Sequence, residues 1–424
     1  MFSIFINDLV QFLERRWAPT VGLGSKLFSV LLFADDCVLV AKSAHELQIL
    51  LDLVADYLDL KKLQLNVKKT EIVIFGKRKD EECNGKFMFN RDEITIVENL
   101  KYLGFIFQNN GSWCAHIKES VKRGKAAIST VFRNGTVMGI KSLAMHKRIF
   151  LTKIMPVIHY GGELWGMEAA EQLETLQVTY YKRLFGLHRT THTQFLKGEL
   201  GLFSLRKHRL VQVVRFWMKL VQVPRGKLIR EAYEELLASG RKRSWPFRVK
   251  SLLDRLGLSY IWNDGRGPAI SQMDIIGIVK QRLEDQEIQT WGNEIERSET
   301  LSVYKDVKKV FGQEIYFKFN LPSKYLSYWL QLRANCLPLR WRSKVFERGK
   351  GFPASRYTCP ICNIEEENLD HFLCRCQGLT DLREGILGKS NFSLRGMLPQ
   401  TVPSLMCRLC RFVDQALKIR KELL

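Results

Sequence analysis

The stretch VLLFADDCVLVA, residues 30–41, places two adjacent carboxylates, Asp35 and Asp36, between the apolar runs Val30–Phe33 and Cys37–Ala41. Two short strand-prone runs around a polar tip predict a hairpin that carries both acids at its turn. Neighbouring like charges repel unless a cation sits over them. Mg²⁺ is the economical choice, because it takes hard oxygen ligands, commonly one or two carboxylates completed by substrate phosphates. Two such ions a short distance apart stabilise the attacking and leaving oxygens of phosphoryl transfer. A polar turn that merely happens to contain two aspartates has the same local pattern, so the flanking sequence has to decide.

The chain has 424 residues, enough for two or three domains, and its 46% hydrophobic and 11% aromatic content is that of a folded globular protein. Lys and Arg number 66 against 44 Asp and Glu, a net charge of +22. That surplus points to a polyanionic partner, nucleic acid first. No run reaches the roughly 18 apolar residues of a membrane span. The start, MFSIFINDLVQFLERR, is interrupted by Asn7 and Asp8 and lacks a basic leader, so it does not resemble a signal peptide. An intracellular protein without membrane contact is expected.

Residues 1–110 alternate helix and strand signals. In SAHELQILLDLVADYL, Ser43 and Glu46 form a capping box, and Leu47, Leu50, Leu51, Val54 and Leu58 recur at helical spacing. TEIVIFG, KFMFNRDEITIV and NLKYLGFIFQNNGSW are strand-like, punctuated by Asn, Asp and Gly. From Trp113 onward helices take over. Ile117, Val121, Ile128 and Phe132 form an apolar stripe, with Lys118, Lys122 and Lys125 on a neighbouring one. Residues 206–250 hold 13 Lys and Arg against Glu231, Glu234 and Glu235, interleaved with Phe216, Trp217, Tyr233, Trp245 and Phe247. That mixture suits phosphate neutralisation with base stacking, though the aromatics fit a core equally well.

Phe33-Ala34-Asp35-Asp36 between apolar strands resembles the aromatic-x-Asp-Asp signature of reverse transcriptases, in the FADD form of non-LTR retrotransposons. MFSIFINDLV is similar to the segment after that family's Leu-Ser-Pro stretch. LQLNVKKTEIVIFG resembles the next motif, with Asn66, Lys69 and Thr70 in an LNxxKT pattern. NLKYLGFIF matches the following hairpin through Tyr102, Leu103 and Gly104; GSWCAHI leads toward the thumb, and IMPVIHYGGELWG (154–166) is similar to a stretch beyond the palm. The resemblance spans most of residues 1–220. It implies that Asp35 is a catalytic, Mg²⁺-binding aspartate with Asp36 as companion. Lys69 would lie near the incoming nucleotide's phosphates, and Tyr102, Leu103 and Gly104 would help hold the primer end.

The family's metal cage also needs a carboxylate from an earlier strand, and a Gly- and Gln-containing stretch that positions template and nucleotide. Neither is found, and Asp8, Asp52, Asp56 and Asp274 do not lie in a comparable strand context. No endonuclease of the kind these elements carry is found either. The expectation is a truncated polymerase, inactive alone, with an exposed sheet edge and an apolar patch where palm strands are missing.

CPICNIEEENLDHFLCRC offers Cys359-x2-Cys362, His371, and then Cys374 or Cys376. These are the soft ligands tetrahedral Zn²⁺ prefers, and His-x4-Cys spacing favours Cys376 over the tight His-x2-Cys. Four protein ligands make the site structural. Non-LTR elements carry a similar CCHC knuckle after the polymerase. Around Trp341, the cations Arg340, Arg342, Lys344, Arg348 and Lys350 suit a grip on RNA or DNA. Cys407 and Cys410, in a helix-like segment, are expected in a core.

The fold class expected is α+β. A partial palm at 1–112 (antiparallel sheet with a helix) precedes a thumb-like helical region at 113–225. A basic helical connector at 226–345, a zinc knuckle at 346–380 and a helical tail at 381–424 follow. The partners implied are an RNA template, a DNA primer or target and deoxynucleotides, in the nucleus or a cytoplasmic ribonucleoprotein. The alternative is a non-enzymatic nucleic-acid-binding protein.

Overall fold

Among the residues that the computed structural model describes (2–76, 86–138, 142–263, 267, 271–347, 353–388 and 393–424), all nine strands lie before Asn109 and helices dominate thereafter. The chain is α+β, as its patterning requires. It divides into two units. The first takes Met1–Arg123, His159–Ala169 and Arg209–Val279; the second takes Gly124–Ile158, Ala170–His208 and Lys280–Leu424.

In the first unit the strands form small separate sheets. β1 (Val21–Leu23) pairs with β2 (Lys26–Phe28), and β3 (Val30–Phe33) with β4 (Asp36–Leu39), both antiparallel. β5 (Glu71–Ile72), β6 (Phe87–Phe89) and β7 (Asp92–Ile96) make a three-stranded sheet in the order β5-β7-β6. β8 (Asn99–Tyr102) and β9 (Phe105–Gln108) close a further antiparallel ribbon. The β5–β7 pair is parallel, where only antiparallel pairs were expected. Parallel pairing needs a long crossover, and residues 73–91 supply it, β6 included.

The helix Ala44–Lys61 packs over these sheets. The Ser43 hydroxyl accepts the Glu46 N–H at 3.2 Å, and the Glu46 carboxylate accepts the Lys42 N–H at 2.8 Å, one residue earlier than in a capping box. Leu51, Val54, Ala55 and Tyr57 are buried with Val30, Ile72, Phe87, Phe89, Ile94, and Leu9 and Leu13 of the helix Leu9–Arg15. Each of the larger side chains contributes about 1.5–3 kcal/mol of transfer free energy, so this core holds the hairpins on one scaffold. Ile4, Trp17, Leu27, Phe33 and Phe75 in the same unit remain 59–93% exposed.

The unit's helical part includes Leu228–Ala238, whose acids are consumed locally. Glu235 and Glu231 accept the Gly24 and Ser25 N–H groups at the β1–β2 turn, 3.0 and 3.2 Å, and Glu234 pairs with Arg230 at 2.8 Å. Trp217 is fully buried, stacked on Trp262 with ring centroids 5.3 Å apart, and donates to the Tyr233 hydroxyl at 3.0 Å. Trp217 and Tyr233 therefore belong to the core rather than to a stacking surface.

The second unit is helical around a buried ion pair. Arg333 donates from Nη2 and Nε to Glu199 at 2.9 and 3.1 Å, with both side chains at 1% exposure or less. The Tyr316 hydroxyl also donates to Glu199, and Arg333 Nη1 reaches the Leu398 carbonyl at 2.8 Å. Such burial is tolerable only when each lone pair and proton finds a partner. Among the described residues no helix is long and apolar enough to cross a membrane.

Candidate functional site

In the β3–β4 hairpin Phe33 faces Asp36 across the ladder, so Ala34 and Asp35 make the turn and Asp36 opens β4. Both carboxylates are exposed. Ala34 sits at φ 56°, a left-handed conformation that costs a non-glycine residue about 1–2 kcal/mol. Tyr102 lies close enough for the Asp36 charge to matter: burial raises its phenol above the ordinary value, and Asp36 raises it further. The two motifs are thus neighbours. In LNVKKT, residues Val67–Lys69 form a single 3₁₀ turn, closed by Thr70, whose hydroxyl donates to the Asn66 carbonyl at 3.1 Å. Lys69 is exposed on it. Two of the other aspartates have partners of their own. Asp8 accepts the Tyr57 hydroxyl at 2.5 Å and pairs with Lys61 at 2.7 Å, and Asp52 accepts the Gln48 amide at 2.8 Å.

The YLG hairpin is latched from residues far along the chain. Leu103 and Gly104, at φ 46° and 81°, form the two-residue turn between β8 and β9, the double positive φ that a right-twisted ribbon favours. The Tyr160 hydroxyl donates to the Leu103 carbonyl at 2.8 Å, and a Cβ on Gly104 would meet the Tyr160 ring at 3.0 Å. The Tyr160 carbonyl lies 3.4 Å from His116 Nε2 and accepts the Trp165 indole N–H at 3.0 Å. Gly161, at φ 67°, leaves room for Phe105, whose ring comes within 2.0 Å of where a Cβ would stand. Burial pushes the His116 imidazole below its ordinary value. The HYGGELW stretch is therefore the clamp that fixes the YLG turn.

The cysteine-rich segment forms a closed cluster. The ligand atoms of Cys359, Cys362, His371 and Cys376 all lie within 4.8 Å of one another, the one such group of three or more among the described residues. Cys359 and Cys376 sulfurs are 3.9 Å apart, and Cys362 Sγ lies 3.4 Å from His371 Nε2. Tetrahedral Zn²⁺, with bonds of about 2.3 Å to sulfur and about 2.0–2.1 Å to nitrogen, requires separations of about 3.8 and 3.6 Å. The donor set and its spacing fit zinc. Asn363 at φ 56° turns the first knuckle back on itself, with Cys359 N–H donating to the Glu365 carbonyl at 2.7 Å.

The second ligand pair is set by a π-turn. His371–Arg375 wind with i→i+5 geometry, and Cys376 N–H donates to the His371 carbonyl at 2.7 Å. In that wider turn residues five apart share a face, which brings Cys376 under His371 and turns Cys374 away. Burial pushes the Cys374 thiol up to about 11. The Cys359 thiol is pulled down, first by a hydrogen bond from Cys376, then by backbone N–H groups of Cys362 and Ile361. The Cys376 thiol is pushed up by the Cys359 contact and by burial. Glu365 lies 3.3 Å from His371 Nδ1, the carboxylate–histidine arrangement that orients a metal-ligating imidazole.

Glu367, fully buried, fastens this cluster to its surroundings. It accepts Arg420 at 2.5 and 2.9 Å and the Arg340 N–H at 2.7 Å. The Arg340 guanidinium donates to the Thr358 carbonyl at 2.7 Å, and Arg342 donates to the Thr190 hydroxyl. Trp341 is half-buried, and Lys344 pairs with Glu366. Arg348 and Lys350 lie outside the described residues. Lys118, Lys122 and Lys125 are exposed on the helix Cys114–Met138, on a stripe beside buried Ile117, Val121 and Ile128. Cys410 is buried on the helix Pro403–Glu422, donating to the Tyr325 carbonyl at 3.2 Å.

Glu367 and the Tyr160 latch were not legible as site features. Glu367 follows two other glutamates, and nothing local marks it as the buried one. Tyr160 was noticed only as part of a resembling stretch.

Residues 1–107 match the family model of reverse transcriptase (RNA-dependent DNA polymerase). The matched segment contains all of the strands up to β9 and the double-aspartate hairpin, about a quarter of the chain. No curated protein matches the chain.

Proposed function

We propose that the chain is polymerase-derived, from a reverse transcriptase of the non-LTR retrotransposon type, with the CCHC cluster as a structural zinc knuckle. The observation that carries this reading is the exposed Asp35–Asp36 pair at a hairpin tip inside the segment similar to reverse transcriptases. Asp35 and Asp36 would hold Mg²⁺ through hard carboxylate oxygens, which supplies charge stabilisation for in-line phosphoryl transfer. Tyr102, Leu103 and Gly104, held by Tyr160, position the primer end beside them. Lys69 supplies a cation for the phosphates of a deoxynucleotide.

Among the described residues no third acidic, Cys or His side chain groups with Asp35 and Asp36. A pair of adjacent carboxylates offers one side of a two-ion site, so this polypeptide alone is expected not to extend a primer. The test is Mg²⁺-dependent extension of a DNA primer on an RNA template by the purified chain. Robust extension, abolished in Asp35→Asn, overturns the claim of inactivity and upholds the polymerase reading.

The second reading is a nucleic-acid-binding protein without catalysis, favoured by the +22 charge and by the metal-ligand cluster. It predicts RNA or DNA binding with no extension under any divalent ion. Either reading would put the protein where nucleic acid is handled, in the nucleus or a cytoplasmic ribonucleoprotein.

A further inference from the structure

The helix Glu171–Leu184 runs into a left-handed Gly186 (φ 60°), which turns the chain into Leu187–Thr191. Here Lys182 Nζ donates to the Arg189 carbonyl at 2.7 Å, and His188 Nδ1 lies 2.8 Å from the Thr190 hydroxyl. Two clefts of about 630 and 860 Å³ open on this turn and share Lys182, Arg183 and Leu187 in their walls. Arg189 and Lys197 line the first, and His188 and Arg342 the second.

Three acids line the clefts, Glu171, Glu174 and Glu347, and Glu171 opens the helix well before Arg183, about 18 Å away along its axis. Glu174 accepts the Leu205 N–H at 2.7 Å, and Glu347 accepts Arg356 and the Tyr357 hydroxyl, each at 3.2 Å. Arg183 lies 4.3 Å above the Phe132 ring, which holds the guanidinium without neutralising it. Among the described residues Arg183, Arg189 and Lys197 have no acidic partner within ion-pair distance. His188 is pushed below its ordinary value by partial burial and then by Arg342, Arg189 and Lys182, so the field at this point is positive. Among the described residues no Phe, Tyr or Trp lines either cleft. A groove with cations but no stacking platform holds phosphates rather than bases.

We propose that the two joined clefts are a groove for the phosphodiester backbone of a nucleic-acid strand, gripped by Arg183, Arg189 and Lys197 with Arg342. The inference rests on the nucleic-acid reading above and locates the contact in the second unit, at residues outside every recognised motif. It also requires the grip to be indifferent to base sequence.

The test is fluorescence anisotropy of the full chain with labelled 20-nucleotide single strands, RNA and DNA, across a salt series. The variants are Arg183→Gln/Arg189→Gln/Lys197→Gln and a control of equal charge loss, Lys280→Gln/Arg282→Gln/Lys309→Gln, whose three positions are exposed in the second unit. Three lost phosphate contacts lower the slope of log affinity against log salt by about 2, a roughly 100-fold loss near 0.1 M salt. The groove variant is expected to show that loss on oligo-U and oligo-A alike, with the control close to wild type. Unchanged binding by the groove variant, or an equal loss in both variants, overturns the groove while leaving the nucleic-acid reading intact. No salt-dependent binding by the wild-type chain overturns that reading and the groove with it.

Discussion

Asp35 and Asp36 stand exposed at the β3–β4 tip with no third ligating side chain beside them among the described residues, whereas Cys359, Cys362, His371 and Cys376 converge within 4.8 Å. The contrast follows from how each gathers its ligands. The knuckle draws four from residues 359–376, so closing the loop costs little entropy, and Glu365, Glu367 and Arg340 then fix the geometry. A carboxylate hairpin contributes two adjacent oxygen donors and depends on other elements for the rest. A self-contained site can support its own fold; one built from distant parts stays incomplete unless every part is present.

Metal removal gives the largest effect and tests the self-contained half. Zinc binding to small knuckles is worth about 10–16 kcal/mol and is inseparable from their folding. Chelation, or Cys376→Ser, is expected to take the metal content from about one zinc per chain to none and to expose residues 353–388 to protease. Cys374→Ser is expected to retain the zinc. Asp35→Asn/Asp36→Asn, at exposed positions, removes a like-charge pair and is expected to shift urea stability by no more than about 0.5 kcal/mol, toward greater stability. Protease resistance that survives chelation would erase the contrast.

The next largest effect lies at the latch. A methyl on Gly161 would strike the Phe105 ring and strain a backbone at φ 67°, so Gly161→Ala is expected to cost about 3 kcal/mol in urea unfolding. Tyr160→Phe removes only the hydrogen bond to the Leu103 carbonyl, a loss of about 1 kcal/mol. Equal effects from the two substitutions would show that packing against Phe105 does not dominate.

What could be read from the sequence was what local spacing encodes. The hairpin at Asp35–Asp36, the helix beginning at Ser43 and the choice of Cys376 over Cys374 all follow from turn residues or ligand intervals. The Tyr160 latch joins positions 57 apart, and no local pattern announces it. The basic run at 206–250 gave the charge but not its direction: Glu231 and Glu235 are taken up by the exposed β1–β2 turn, and Trp217 and Tyr233 fill the core. The cations of the joined clefts were missed because Arg183, Arg189 and Lys197 are scattered along a helix, a turn and a second helix. Only the fold puts them beside common clefts.

The smallest effect concerns Asp8, an aspartate of the first unit that, unlike the hairpin pair, has an ion-pair partner. The hydrogen bond from Lys61, then that from the Tyr57 hydroxyl, holds its carboxyl below the ordinary value. A lowered folded-state value means the unfolded chain takes up the proton first as the solution is acidified. The contribution is therefore complete above about pH 4 and disappears as the pH falls through the lowered value. Urea unfolding of wild type and Asp8→Asn from pH 7 down to pH 2.5 should show a gap that is constant at the upper end and closes at the lower. A gap that stays open down to pH 2.5 would show that the Lys61 and Tyr57 contacts do not act on this carboxylate.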